Sequence, residues 1–170
     1  ITAGIGLVFQ KESKIEYQHL FSEYYGFYCG KGHRLYGKKN LDINELQDEE
    51  YVSFRTDNAD GALWPIALLR SQLGLTGKVV AASPNVEEVR KFIAIGMGIG
   101  PLPIHVVEPD VERGTLWRLP PYTDCPKIDN YIMTNKKTNY SRAETLFLNF
   151  LKSEVSALAK AYEDFPEGNA

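Results

Sequence analysis

The stretch SPNVEEVRKFIAIGMGIGPLP, residues 83–103, decides how the rest of the chain is read. Val86, Val89, Ile93 and Met97 recur at spacings of three, four and four, which is one apolar face of a helix. Ser83 can cap that helix, Pro84 suits its first position, and Gly96 can end it. A dinucleotide fingerprint places G-x-G-x-x-G between a strand and the helix it opens. Here Gly96, Gly98 and Gly100 come after the helix, so they read as a stop and a turn into the next strand. The phosphate-binding amides of a helix start would lie at the other end, beside Ser83. Ser83, Pro84 and Asn85 offer a hydroxyl, an amide and backbone N–H groups in the positive field of the helix dipole. In open α/β sheets, ligands gather at the C-terminal ends of strands, where helices begin. The strand-like run 79–82 leads into Ser83, so two readings stand: a plain N-cap or a small-ligand contact.

Outward from this segment the chain alternates strands and helices, the pattern of an α/β fold. Towards the N-terminus, GIGLVF (4–9) reads as a buried strand and KESKIE (11–16) as a polar connection. An aromatic strand falls at 24–29, and GKGHRLYGKKN (30–40) is a basic, glycine-rich loop. DINELQDEE (42–50) reads as a short helical turn, YVSF (51–54) and KVVAAS (78–83) as strands. Asp60 is a plausible cap for a helix reaching about Leu73, with Trp64, Leu68 and Leu69 on one side. Pro65 would then sit in its first turn, with the regular part beginning at Trp64. HVVE (105–108) and TLWRL (115–119) follow the glycines, and NYIMTN (130–135) is a last strand. Ser141 and Glu144 have capping-box spacing, ahead of a helix with Leu146, Phe147, Phe150, Leu151, Val155 and Leu158 on one side.

Composition excludes several classes. The 19 basic and 22 acidic residues leave a net charge of −3, so the chain is not expected to grip DNA by itself. No apolar run approaches the roughly 20 residues that span a bilayer, so no membrane partner is expected. Cys29 and Cys125 read as a reduced, cytoplasmic pair rather than a disulfide. The chain opens ITAG, without an initiator methionine or a basic leader, and reads as a fragment that begins mid-protein. His19, His33 and His105 show no metal spacing, so neither a metal nor another cofactor is expected. Neither a G-x-S-x-G elbow nor a phosphate-binding G-x-x-x-x-G-K-[ST] loop occurs, and the chain reads as a non-enzyme. Glu87 with Glu88, Asp110 with Glu112, and the pairs Lys38-Lys39 and Lys136-Lys137 read as solvated charges.

An ordered set of motifs carries a resemblance. VEEVRKFIAIGMGIGPLP (86–103) resembles the helix and G-x-G-I-x-x-L-P-like turn of LysR-type transcriptional regulators, in their effector-binding domain. YCGKGHRLYGKKNLDINELQDEEYVSF (28–54) is similar to that family's strand, G-x-x-H-P-L-like turn, acidic helix and strand, with Arg34 where proline is usual. ERGTLWRLP (112–120) resembles its G-x-L-x-x-L strand, and SRAETLFLNFL (141–151) its closing helix. The motifs span nearly the whole chain in family order, although AGIGLV replaces the more common D-x-G/A-I strand.

The resemblance implies a two-lobed α/β fold like that of type 2 periplasmic binding proteins, with hinge crossover strands. Lobe I would comprise residues 1–28 and 136–170, and lobe II residues 30–133. The winged helix-turn-helix, the linker helix and the first βαβα part of lobe I have no counterpart here, so that lobe is expected to be incomplete. A small effector would sit in the inter-lobe cleft. By position it would be lined by Phe9 and Gln10, by Ser83, Pro84 and Asn85, and more weakly by Arg55 and Thr56. Helix-start amides and hydroxyls with Arg55 suit a small anion. The implied partners are a small-molecule effector, the other copies of a full-length homodimer or homotetramer, and promoter DNA only through the missing domain. The family pairs effector domains through opposite lobes. A solute-binding protein of a transport system, with the same lobes, is the alternative.

Overall fold

The computed structural model describes residues 3–136 and 139–163, the stretch 157–163 as backbone only. The chain is mixed α/β, as expected, and divides into two compact units. Unit 1 comprises Ile1–Ser22 with Asp129–Ala170, and unit 2 is Glu23–Ile128. The chain passes from one to the other within two long strands, β2 (Ile15–Gly30) and β7 (Lys127–Asn135).

Unit 1 is built on β1 (Ala3–Leu7), the first part of β2, most of β7 and the terminal helix α4 (Arg142–Glu163). β1 is the end strand and pairs antiparallel with β7, Ile5 opposite Ile132. The connection expected at residues 11–16 is shorter than the sequence suggested, because β2 already starts at Ile15. Polar residues such as Glu16 and Gln18 alternate along it with Tyr17 and His19, as a half-solvated strand allows. α4 opens with the expected capping box. The Glu144 amide donates to Ser141 Oγ at 3.3 Å, and the Ser141 amide to Glu144 Oε2 at 2.9 Å.

The apolar face expected for α4 is only partly the buried one. Val155 and Leu148 are buried and Leu151 half-buried, whereas Leu146, Phe147 and Phe150 are 62%, 55% and 64% exposed. The helix carries two apolar stripes, and the one formed by Leu148, Leu151 and Val155 faces the sheet, where Val155 meets Leu20 and Ile132. Leu158 lies outside the described side chains.

Unit 2 holds the larger core. Here β2 pairs antiparallel with β5 (Gly100–Pro103) and β6 (Leu116–Leu119). A parallel pair, β3 (Tyr51–Phe54) and β4 (Val79–Ser83), forms a second sheet. Helices α1 (Trp64–Gln72), α2 (Val86–Ala94) and α3 (Ile104–Glu112) connect them. Phe27, Leu46, Tyr51, Ile99 and Leu119 meet in one apolar cluster with Cys29. Both cysteines are free thiols, and burial pushes the Cys29 thiol up to about 12. The turn at 42–50 is a 3₁₀ turn over Ile43–Leu46, capped by Asp42 and Glu45 and anchored by the buried Leu46.

The glycines of the opening segment are structural. Gly96 stops α2 with φ +85°, the left-handed conformation that glycine adopts without strain. Gly98 and Gly100 then lie against β3: a Cβ on either would come within 2.4 Å of the Glu50 or Val52 carbonyl oxygen. That close passage lets Ile99 bond one edge of the chain on either side of Tyr51, through Ile99 N–H to Glu50 O (2.8 Å) and Val52 N–H to Ile99 O (2.7 Å).

α1 begins at Trp64, with Pro65 in its first turn as expected, but Leu63 occupies the cap position and Asp60 does not cap. Asp60 is held in a turn by Asn58, whose Oδ1 accepts the Asp60 amide at 3.1 Å. The expected face is also displaced. Trp64 and Leu68 are exposed, and Leu63 and Ile66 are buried in their place. The run HVVE lies within helix α3.

Candidate functional site

The parallel pairing of β3 and β4 sets Phe54 opposite Ser83, so both strands end together. Arg55 and Thr56 continue from one strand, and Pro84 and Asn85 from the other. The Arg55 amide donates to the Ser83 carbonyl at 3.2 Å, which ties the two exits side by side. Five of the seven residues expected at the site are thereby brought together. Phe9 and Gln10 belong to unit 1, where they are exposed in the bend after β1.

The cap of α2 differs from expectation. Asn85, not Ser83, is the N-cap, and Val86, not Pro84, is the first helical residue. Asn85 has extended backbone angles and its Oδ1 accepts the Glu87 amide at 2.8 Å. Ser83 is still the last residue of β4, so its backbone cannot also start the helix. Its hydroxyl accepts the Asn85 amide at 3.0 Å and donates to the Glu88 carboxylate. Ser83 is 2% exposed, and Pro84 and Asn85 are exposed. The site therefore already contains an anion of its own. Glu87 and Glu88 both lie in the first turn of α2, where the helix dipole favours negative charge. Glu87 accepts from Arg90 at 2.7 Å, and Arg90 grips both oxygens of the buried Asp110 at 3.1 and 3.0 Å. Glu87 and Asp110 are thus bonded members of a network joining α2 to α3, not merely solvated charges. Arg55 is an exposed cation at the strand exit.

Behind this rim lies a group that sequence reasoning missed. Asp57 has a fully buried side chain, and its Oδ2 accepts from Ser53 Oγ (3.0 Å), Tyr51 Oη (3.2 Å) and Arg70 Nη1 (3.3 Å). The Arg70 guanidinium also lies 4.6 Å from the centre of the Tyr51 ring. Burial raises the Asp57 carboxyl above its ordinary range, opposed by Arg70, Ser53 and Tyr51. Burial likewise raises Tyr51 well above the usual phenol value. The network fixes the turn that begins with Arg55 and Thr56. Thr56 O accepts the Leu63 amide at 3.1 Å, and a Cβ on Gly61 would lie 2.0 Å from that oxygen. Ser53 and Asp57, polar residues at the end of an apolar strand, were the available signal; Arg70 is thirteen residues further on.

Among the described residues, no group of three or more His, Cys, Asp or Glu could hold a metal ion. Also among these residues, no helix is long and apolar enough to cross a membrane.

The LysR substrate-binding domain model matches residues 1–156. The chain belongs to this family. The LysR assignment favours the regulator reading over transport, and the family is that of a regulator's binding domain rather than an enzyme class. The regulatory domain of HypT from Salmonella typhimurium in its apo form is 18% identical, with a TM-score of 0.68 over 86% of this chain and 68% of that one. The CcmR regulatory domain of Synechocystis PCC6803, in complex with 2-PG, is 22% identical, with a TM-score of 0.69 over 91% and 73%. The effector-binding domain of QuiR in complex with shikimate is 16% identical, with a TM-score of 0.73 over 93% and 73%. At these identities the likeness establishes the fold, the two-lobed type of periplasmic binding proteins. No curated protein sequence matches the chain.

Proposed function

We propose that this LysR domain is the effector-sensing part of a bacterial, cytoplasmic transcription regulator. It binds a small, anionic metabolite and, in the full-length homodimer or homotetramer, modulates the grip of a winged helix-turn-helix on promoter DNA. The two compact units form the cores of its two lobes. The observation that carries the reading is the joint exit of β3 and β4, which gathers Arg55, Thr56, Ser83, Pro84 and Asn85 within a chain matched to the family over residues 1–156. Helix-start donors and a nearby guanidinium are the groups that satisfy a carboxylate or phosphate. Two of the solved likenesses were captured with 2-PG and with shikimate, which makes small acids the first compounds to try. Effector binding can shift the regulator only through unequal affinity for its two arrangements.

The test is a thermal-shift panel of small organic acids. A true effector stabilises the domain by about 2.7 kcal/mol at a hundredfold excess over its dissociation constant, and is not consumed. The shift should shrink in Ser83→Ala and in Arg55→Ala, each measured against its own ligand-free baseline. A shift unchanged in both variants would remove these residues from the site. Phe9→Ala and Gln10→Ala test the unit 1 residues separately.

A further inference from the structure

Unit 2 holds a carboxyl that the proposed recognition does not yet use. Asp57 lies in the turn between β3 and α1, one residue beyond Thr56, and its side chain is 0% exposed. Its two oxygens are placed unequally. Oδ2 accepts from Ser53 Oγ, Tyr51 Oη and Arg70 Nη1, whereas the buried Oδ1 has no hydrogen-bond partner among the described residues. A proton on Oδ1 therefore breaks none of these three bonds, because Oδ2 stays an acceptor in the neutral acid. The carboxyl can change its charge and keep its place.

That change of charge falls directly behind the rim. The charged and titratable groups facing Asp57 are Tyr51 of β3 and Arg70 of α1; Arg55 and Asp60, in its own turn, are exposed. While Asp57 is ionised, its pair with the mostly buried Arg70 is neutral. Once Asp57 is protonated, the guanidinium is left as an uncompensated positive charge. The Cα atoms of Thr56 and Asp57 are about 3.8 Å apart, so an anion held at Thr56 is close enough to interact with this charge. Burial raises the Asp57 carboxyl above its ordinary range, which moves its titration towards neutral pH.

We propose that Asp57 is a proton-linked positioning residue of the effector site: an acid settling on the Arg55–Thr56 rim is accompanied by one proton, which forms an O–H bond at Asp57 Oδ1. This rests on the anion-binding reading above and supplies its regulation. The proton comes from solvent, and no bond of the ligand breaks. An anion that favours the protonated carboxyl binds more tightly as pH falls, and by linkage it raises the pH at which Asp57 takes its proton. Glu88, bonded to Ser83, also carries charge at the rim, so its contribution has to be separated from that of Asp57.

The probe is shikimate, whose carboxylate stays ionised over the range used. Its affinity for the 170-residue chain is measured by calorimetry from about pH 7.5 to about pH 5.5, in wild type, Asp57→Asn and Glu88→Gln. Acidification should tighten binding about threefold to tenfold in wild type and in Glu88→Gln. Asp57→Asn, neutral at every pH, should give a flat profile near the wild-type affinity at the acid end. A flat or falling wild-type profile overturns the proposal, and so does a slope that Asp57→Asn keeps or Glu88→Gln loses. A second measurement needs no ligand and decides if Asp57→Asn fails to fold. Thr56→Asp fixes a carboxylate where the acid would sit, and Thr56→Asn is its neutral counterpart. Carboxyl-carbon NMR should show Asp57 taking its proton at higher pH in Thr56→Asp than in Thr56→Asn; equal midpoints overturn the proposal. A raised midpoint with no shikimate binding at any pH supports the proton link and counts instead against the rim as a site for such acids.

Discussion

The two units make different use of their apolar residues. In unit 2 the cluster around Leu46, Tyr51, Ile99 and Leu119 is sealed, with each of these side chains at most 2% exposed. In unit 1 the cluster described is Leu20, Ile132 and Val155 with Phe21 and Leu151 against it, while Ile5, Leu146, Phe147 and Phe150 face outward. Fully burying one such side chain stabilises a fold by about 1.5–3 kcal/mol, so unit 1 leaves several kcal/mol of burial unused. Unit 2 has the character of a sealed core; unit 1 divides its apolar residues between a small core and an exposed stripe.

Core truncation should break this contrast most directly. Ile99→Ala in unit 2 is expected to cost about 3 kcal/mol, because a 0% exposed side chain between β3 and β5 leaves a cavity. Val155→Ala in unit 1 removes two methyl groups and should cost about 1–2 kcal/mol. Urea unfolding of both variants gives the comparison, and equal losses would mean that the units do not differ in tightness.

Arg70→Ala comes next, at about 2–3 kcal/mol near neutral pH, since it leaves the buried Asp57 carboxylate without its cation. The pH dependence has a definite sign. Asp57 already has a folded-state pKa above its ordinary value, and loss of Arg70 raises it further. Such a group is most favourable below its unfolded pKa, and that advantage is lost as pH rises through the folded one. The cost of Arg70→Ala should therefore shrink on acidification, which urea melts of both proteins between neutral and mildly acidic pH will check. A cost independent of pH would contradict a buried, charged Asp57. The smallest effect sharpens the contrast from the unit 1 side. Ser141→Ala removes the exposed capping box of α4 and should cost about 0.5–1 kcal/mol, read as an earlier loss of helical circular dichroism.

What was legible in the sequence follows the range of the forces involved. The α2 face at Val86, Val89 and Ile93, the stop at Gly96 and the box at Ser141 and Glu144 are set by residues a few positions apart and occur in the structure, whereas Met97, expected on that face, lies beyond the end of the helix. The cap of α2 was misplaced by two residues because Ser83 and Asn85 are both good caps, and only the length of β4 selects between them. In α4 the helical period is clear, but it cannot tell which of two apolar stripes meets the sheet. In α1 the local pattern does not show that Leu63 and Ile66, rather than Trp64 and Leu68, are the buried residues. Of the candidate site, the strand exits at Arg55 and Ser83 were legible. The Asp57 network behind them was not, because its members meet only once β3 and α1 are packed.

The bond from Ser83 to Glu88 has a consequence for dose. A hydroxyl has one proton to give, and here Glu88 holds it. On the proposed reading, any acid that recruits Ser83 as a donor must first displace this resident carboxylate, which then acts as a tethered competitor. Apparent affinity is then the intrinsic affinity scaled by the fraction of time that Glu88 stands aside. Such a competitor moves the whole dose curve to higher concentration without steepening it, and a ligand with further contacts offsets the shift.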